Sequence, residues 1–191
     1  MSNLLTMNPA DAKNRLRELV NEKAVIRGDF ILASGARSNY YVDAKFISLT
    51  SEGLAYFARV IVDIMDDLNV DLIGGMTLGA DPIIGAVVAM SHLVGKPVDG
   101  IIVRKEAKGH GRGKQIEGPI SEGAKVLIIE DVVTTGGSSL KAIDAVEKAG
   151  GKIAKVICLV DRLAGGRESF ESKGYKFESI FTINDLDIPK Q

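Results

Sequence analysis

The chain has 191 residues, 24 Lys and Arg against 25 Asp and Glu, and one cysteine, Cys158. That length suits a single domain, the balanced charge excludes a protein that binds nucleic acid with its whole surface, and a lone cysteine excludes a disulfide framework or a thiolate metal cluster. With no secretory leader in Met1–Asn14 and no apolar run approaching the ~18–20 residues of a membrane span, the expectation is a soluble, cytoplasmic protein with no membrane or nucleic-acid partner.

Asn8-Pro9-Ala10-Asp11 reads as an N-cap followed by proline at the first helical position, with Leu16, Leu19 and Val20 on one side of a helix ending near Lys23. Phe30-Ile31-Leu32 and Tyr40-Tyr41-Val42 flank Ser34-Gly35, a hairpin pattern. Ser51-Glu52 opens a second helix with Leu54, Phe57, Ala58, Ile61, Ile64, Met65 and Leu68 at spacings of three and four. From residue 70 the chain alternates. Val70–Gly74, Val98–Val103, Lys125–Glu130 and Ile153–Val160 are short apolar strands, and Asp81–Val94 and Ser138–Ala149 are helices, the second closed by Gly150-Gly151. Strands apolar throughout belong in a sheet covered on both faces. The fold class expected is therefore α/β, a parallel sheet flanked by helices and wound right-handedly. Ligands of such sheets collect beyond the carboxyl ends of the strands, which directs attention to the loops after residues 75, 103, 130 and 160.

Strand 125–130 delivers two adjacent carboxylates, Glu130 and Asp131, and then Val132-Val133-Thr134-Thr135-Gly136-Gly137-Ser138 leads into a helix. Glycines that let the backbone wrap an anion, hydroxyls that donate to it, and the free amides of a helix N-terminus make a phosphate cradle. The acids would repel a phosphate at close range, so sugar hydroxyls or a magnesium ion suit them better. The competing reading is a capped helix with solvated acids. A Walker-type nucleotide site is excluded because no G-x-x-x-x-G-K-[ST] accompanies the acids; Gly109–Gln115 has the wrong spacing and no hydroxyl after Lys114. This apolar strand followed by E-D-V-V-T-T-G-G-S resembles the phosphoribosyl-pyrophosphate (PRPP) signature of the type I phosphoribosyltransferases.

Arg104 to Lys114 holds five Lys and Arg, one histidine, one acid and three glycines. A charge run is ordinarily a solvated loop, but this one follows a strand on the ligand edge, where long glycine-rich loops act as lids. Its order, R-K-x-x-K-x-H, is similar to the catalytic loop of the orotate phosphoribosyltransferases. Phe30–Lys45 resembles that family's N-terminal hood over the pyrimidine, Gly74–Pro82 its pyrophosphate loop, and Asp161-Arg162 the position whose arginine meets the orotate carboxylate. Together these segments carry the resemblance over residues 15 to 186.

The resemblance implies one domain over residues 1–191, with residues 1–48 or so forming a hood over the base, and transfer of a 5-phosphoribosyl group from PRPP to orotate in pyrimidine (UMP) biosynthesis. It implies Mg2+, carried mainly by PRPP rather than by a dedicated protein site, and a homodimer with shared active sites. Catalytic roles would fall to Lys108, His110 and Asp131. PRPP would be bound by Arg104, Lys105, Lys108, His110, Glu130, Asp131, Val132, Val133, Thr134, Thr135, Gly136, Gly137 and Ser138, and orotate by Thr134 and Arg162. Departures exist: Ala33 stands where some relatives have lysine, and Leu78-Gly79 where some have Tyr-Lys. Pyrophosphate would then rely on fewer fixed cations and on backbone amides of 74–79. The rival readings are a phosphoribosyltransferase for another base and a PRPP-sensing regulator that binds nucleic acid. Cys158 and His92 are read as structural.

Overall fold

The uniformly apolar runs become neighbouring strands of one six-stranded sheet. The structure, a computed structural model, describes residues 4–31, 37–106 and 115–188. Helix α1 (Pro9–Leu19) starts where Asn8 accepts a 2.8 Å hydrogen bond from the Ala10 amide, and a π-helical turn, Val20–Ala24, continues it. Strands β1 (Val25–Ile31) and β2 (Arg37–Val42) pair antiparallel, with Val25 opposite Val42. The Ser34-Gly35 turn lies outside the described residues. Helices α2 (Lys45–Ser48) and α3 (Ser51–Met65) follow.

Strand β3 (Leu72–Met76), helix α4 (Asp81–Leu93), β4 (Asp99–Val103), β5 (Ile116–Glu117), β6 (Lys125–Val133), helix α5 (Gly137–Lys148), β7 (Lys152–Asp161), helix α6 (Gly166–Glu171) and β8 (Phe177–Thr182) complete the order. The sheet runs β5-β4-β3-β6-β7-β8 and is parallel except for β5, which pairs antiparallel with β4. Alternation along β6 sends Leu127 and Ile129 into a core shared with α1, α3 and α4, and Val126 and Ile128 into a second core under α5. Both faces are dry, as the non-alternating sequence requires.

Three details depart from the sequence pattern. The expected strand Val70–Gly74 forms two residues later, because Gly74 and Gly75 lie inside β3 rather than ending it. A methyl group on Gly74 would stand 2.7 Å from Ile101 Cγ1, and one on Gly75 would stand 2.4 Å from the Ile129 carbonyl oxygen. These glycines mark close approach within a sheet. Strand β6 does not stop at Glu130 but continues to Val133, paired with β7 through Asp161. The edge strand β8, the antiparallel β5 and the short helices α2 and α6 have too little periodicity of their own to announce them.

Gly75→Ala should lower stability by about 2–3 kcal/mol through overpacking between β3 and β6, read as a lower urea midpoint with an unchanged slope.

Candidate active site

Strand β3 connects onward to β4 on one side and β6 to β7 on the other, so the connections diverge between β3 and β6. Beyond the carboxyl ends of such strands an open α/β sheet has its natural crevice. The two loops meet there: a methyl group built on Gly79 would lie 3.3 Å from Asp131 Oδ1. A cleft of about 450 Å³ opens at this edge, lined by residues 130–139 and Lys141.

The cradle is shaped by its glycine. Gly136 is left-handed at φ 80°, and a side chain there would meet the Phe170 ring at 2.7 Å, so both backbone and packing demand glycine. Thr134 and Thr135, in the turn before α5, and Gly137 and Ser138, in the first turn of that 12-residue helix, are exposed around the cleft. Val132 and Val133 line it too, but their side chains pack with the two cores. That leaves only their backbone for a ligand.

The two acids are not alike. Glu130 is buried and accepts a 2.9 Å hydrogen bond from Ser139 Oγ, while Asp131 is half-buried and its Oδ1 accepts from the Val132 amide at 2.7 Å. Burial first, then the neighbouring Asp131 charge, push the Glu130 carboxyl up to about 7, with the Ser139 hydroxyl pulling against that rise. Among the described residues no group of three or more His, Cys, Asp or Glu stands ready to hold a metal. Two carboxylates beside a phosphate cradle do fit Mg2+, which characteristically binds through one or two carboxylates plus substrate phosphates.

Arg162 is half-buried just beyond β7, and its amide donates to the Val133 carbonyl at 2.9 Å, which sets residue 162 beside Thr134. Asp161 is fully buried; its Oδ1 accepts from the Leu163 amide at 2.9 Å and holds that residue at φ 54°. Gly166 supports the same turn, since a methyl group there would stand 2.3 Å from Val133 Cγ1.

Arg104 and Lys105 are exposed at the carboxyl end of β4, and Arg104 faces Glu117 at 3.4 Å. Arg104 and Gln115 close the base of the intervening segment, amide to carbonyl at 2.9 Å and Gln115 Nε2 to the Arg104 carbonyl at 3.0 Å. Lys108 and His110 lie outside the described residues, as does Ala33. Sequence reasoning passed over Ser139, Lys141 and the orienting role of Asp161. Nothing in the linear pattern pairs Ser139 with Glu130, because the contact crosses from strand to helix.

Residues 57–185 match the phosphoribosyl transferase domain family. Fold and cleft together define the class: this is a phosphoribosyltransferase, a pentosyl-transferring enzyme. The chain is 43% identical, over 95% of its length and 88% of the relative's, to the orotate phosphoribosyltransferase of a Nostoc species. The solved orotate phosphoribosyltransferase of Mycobacterium tuberculosis superimposes with a TM-score of 0.81 at 37% identity, covering 91% of this chain and 98% of that one. A second structure of the M. tuberculosis enzyme, in complex with PRPP, gives 0.77 at 35% identity, with the same coverage of both chains. The chain belongs to the orotate phosphoribosyltransferase family.

The raised Glu130 value carries a stability consequence. An acid whose folded pKa, about 7, lies above its ordinary 4.5 contributes stability that is fully present below pH 4.5 and lost as pH rises through 7. The ligand-free protein should therefore lose up to about 3 kcal/mol from this group between pH 4.5 and 8. Glu130→Gln should flatten that slope in urea titrations; an unchanged slope would show that Glu130 titrates normally.

Proposed function

We propose that the protein transfers the 5-phosphoribosyl group of PRPP to orotate, releasing pyrophosphate and orotidine 5′-monophosphate. The observation that carries this reading is the Thr134–Ser138 cradle at the sheet's switch point, with Glu130 and Asp131 on one side and Arg162 beside Thr134. Amides and hydroxyls of Thr134–Ser138 hold the 5′-phosphate at the α5 N-terminus. Glu130 and Asp131 take the ribose hydroxyls, and Arg162 with Thr134 takes orotate, a guanidinium fork matching a planar carboxylate.

Reaction at the anomeric carbon breaks the bond to pyrophosphate ahead of attack by the orotate nitrogen, so positive charge develops on the ribose and negative charge on the leaving group. Such a reaction needs no covalent nucleophile, and catalysis is positioning plus charge stabilisation. Arg104 and Lys105 anchor pyrophosphate, and Lys108 and His110 act as it departs. Mg2+, held mainly by PRPP, would supply charge neutralisation at the pyrophosphate, with Asp131 and Glu130 as the carboxylates this chain would offer it. The backbone of 74–79 takes the share of pyrophosphate binding that relatives give to lysine at the positions of Ala33 and Gly79. In this reading the whole chain is one domain, the β1–β2 hairpin belongs to the hood over the base, and the enzyme works in the cytoplasm, where Cys158 stays reduced.

The direct test is the absorbance change of orotate on adding PRPP and Mg2+, with uracil and adenine as controls; turnover of a control base in place of orotate would refute the substrate. Arg162→Ala should raise the KM for orotate far more than that for PRPP, by a loss of about 1.5–3 kcal/mol. Equal effects on both substrates would remove Arg162 from the pyrimidine site.

The segment after β4 must cover a phosphate site without collapsing onto the acids of its own sheet edge, and a two-fold dimer in which it reaches its partner meets that need. Lys108→Ala and Asp131→Ala, each nearly inactive, should then complement on subunit exchange. Half the randomly mixed dimers are heterodimers with one site of two intact, giving roughly a quarter of wild-type activity. Mixtures that stay inactive after verified exchange would show that each site is built from one chain.

A further inference from the structure

Serines within helices usually turn their hydroxyls back on the preceding turn. Two in this chain do so: Ser91 donates to the Val88 carbonyl at 2.8 Å and Ser169 to the Gly165 carbonyl at 2.7 Å. Ser139, in the first turn of α5, does not. Its hydroxyl crosses to Glu130 Oε2, 2.9 Å away on β6, in a contact where both side chains are buried. Buried polar pairs of this kind are costly to leave incomplete.

We propose that Ser139 is a positioning residue, whose hydroxyl holds the Glu130 carboxylate in the fixed orientation that receives the ribose hydroxyls of PRPP. The proposal rests on the reading of Glu130 as a ribose ligand. Glu130 continues the row of Val126 and Ile128 toward α5, so without a donor from α5 its carboxylate would enter an apolar layer unsupported. The other groups around it do not replace that donor. Asp131, the next residue on its own strand, adds a like charge, and Cys158, its register partner on β7, is a buried thiol held neutral by burial and by the charges of Asp161 and Glu130. The β3 register ends at Gly74 opposite Ile128, with no titratable side chain in Gly74, Gly75 or Met76. Lys141 lines the same cleft and supplies charge there. Ser139 is the side-chain donor that favours the charged form, joined by the Asp131 backbone amide, against burial and the Asp131 carboxylate, which push the Glu130 carboxyl upward.

The test is steady-state kinetics of the full chain with Mg2+ at one fixed pH, varying PRPP and orotate separately. Ser139→Ala should raise the KM for PRPP about tenfold, as expected for loss of a hydrogen bond to a charged group. The KM for orotate should stay within about twofold, and Ser139→Thr, which keeps the hydroxyl, should restore the PRPP KM. On a Glu130→Gln background, Ser139→Ala should add less than about twofold, the non-additivity of a coupled pair. Thermal melting checks folding of each variant, and if Ser139→Ala does not fold, Ser139→Cys, a weaker donor, is measured in its place with an intermediate defect expected. An unaltered KM for PRPP, an equal rise in both KM values, or the same factor on the Glu130→Gln background would overturn the role of Ser139 while leaving Glu130 as a ribose ligand. A wild-type PRPP KM in Glu130→Gln alone would instead overturn the reading of Glu130 and the proposal with it.

Discussion

Strand β6 is sealed on both faces from Val126 to Ile129, and the next residue along it is a carboxylate. A charge emerging from a dry layer must find donors or a ligand within a residue or two, since burying it unpaired costs several kcal/mol. The surrounding architecture answers that demand. Helix α5 brings Ser139 to Glu130, the loop after β3 comes down on Asp131, and the turn after β7 is stitched by Arg162 to the Val133 carbonyl. The site is thus the place where the sheet stops being able to hide its polar ends.

The same constraint explains why the two acids, adjacent in sequence, have different characters. Glu130 stays in the register of the α5-facing row and is pushed up by burial and by its neighbour's charge. Asp131 lies half-open against Gly79, with a local amide as its donor. Both line the crevice, but only Glu130 is deeply buried there. That division suits a ligand with both hydroxyls and phosphates, because each class of group prefers a different partner.

Glycine serves the site at its tightest points. Gly75 lets β3 and β6 approach, Gly79 leaves room for Asp131, Gly136 makes the left-handed corner before α5, and Gly166 admits the Val133 side chain. Replacing polar side chains at the crevice with backbone that can come close is consistent with Leu78 and Gly79 standing where some relatives carry Tyr-Lys. In the proposed reaction, anions would be met there by amides and by a helix terminus, whose donors need no side-chain ordering.

The apolar runs at 98–103, 125–130 and 153–160, the helix 81–94 and the turn after Asp131 were all legible in the residues, because burial on both faces leaves an uninterrupted apolar signature and phosphate cradles need glycine and hydroxyls in a short span. Family likeness was legible for the same reason: it resides in contiguous motifs. Other features were not local. The two-residue shift of β3 followed from glycines that mark sheet contacts rather than turns, and the antiparallel β5 exists only because β4 offers it an edge. The pairing of Ser139 with Glu130, the burial of Asp161 and the seating of residue 162 beside Thr134 join residues from different elements. Sequence alone thus determined which chemistry the chain carries, because residue types in order encode it; tertiary structure alone decided which of those groups are dry, paired and charged, because desolvation and hydrogen bonding depend on neighbours that the linear order does not contain.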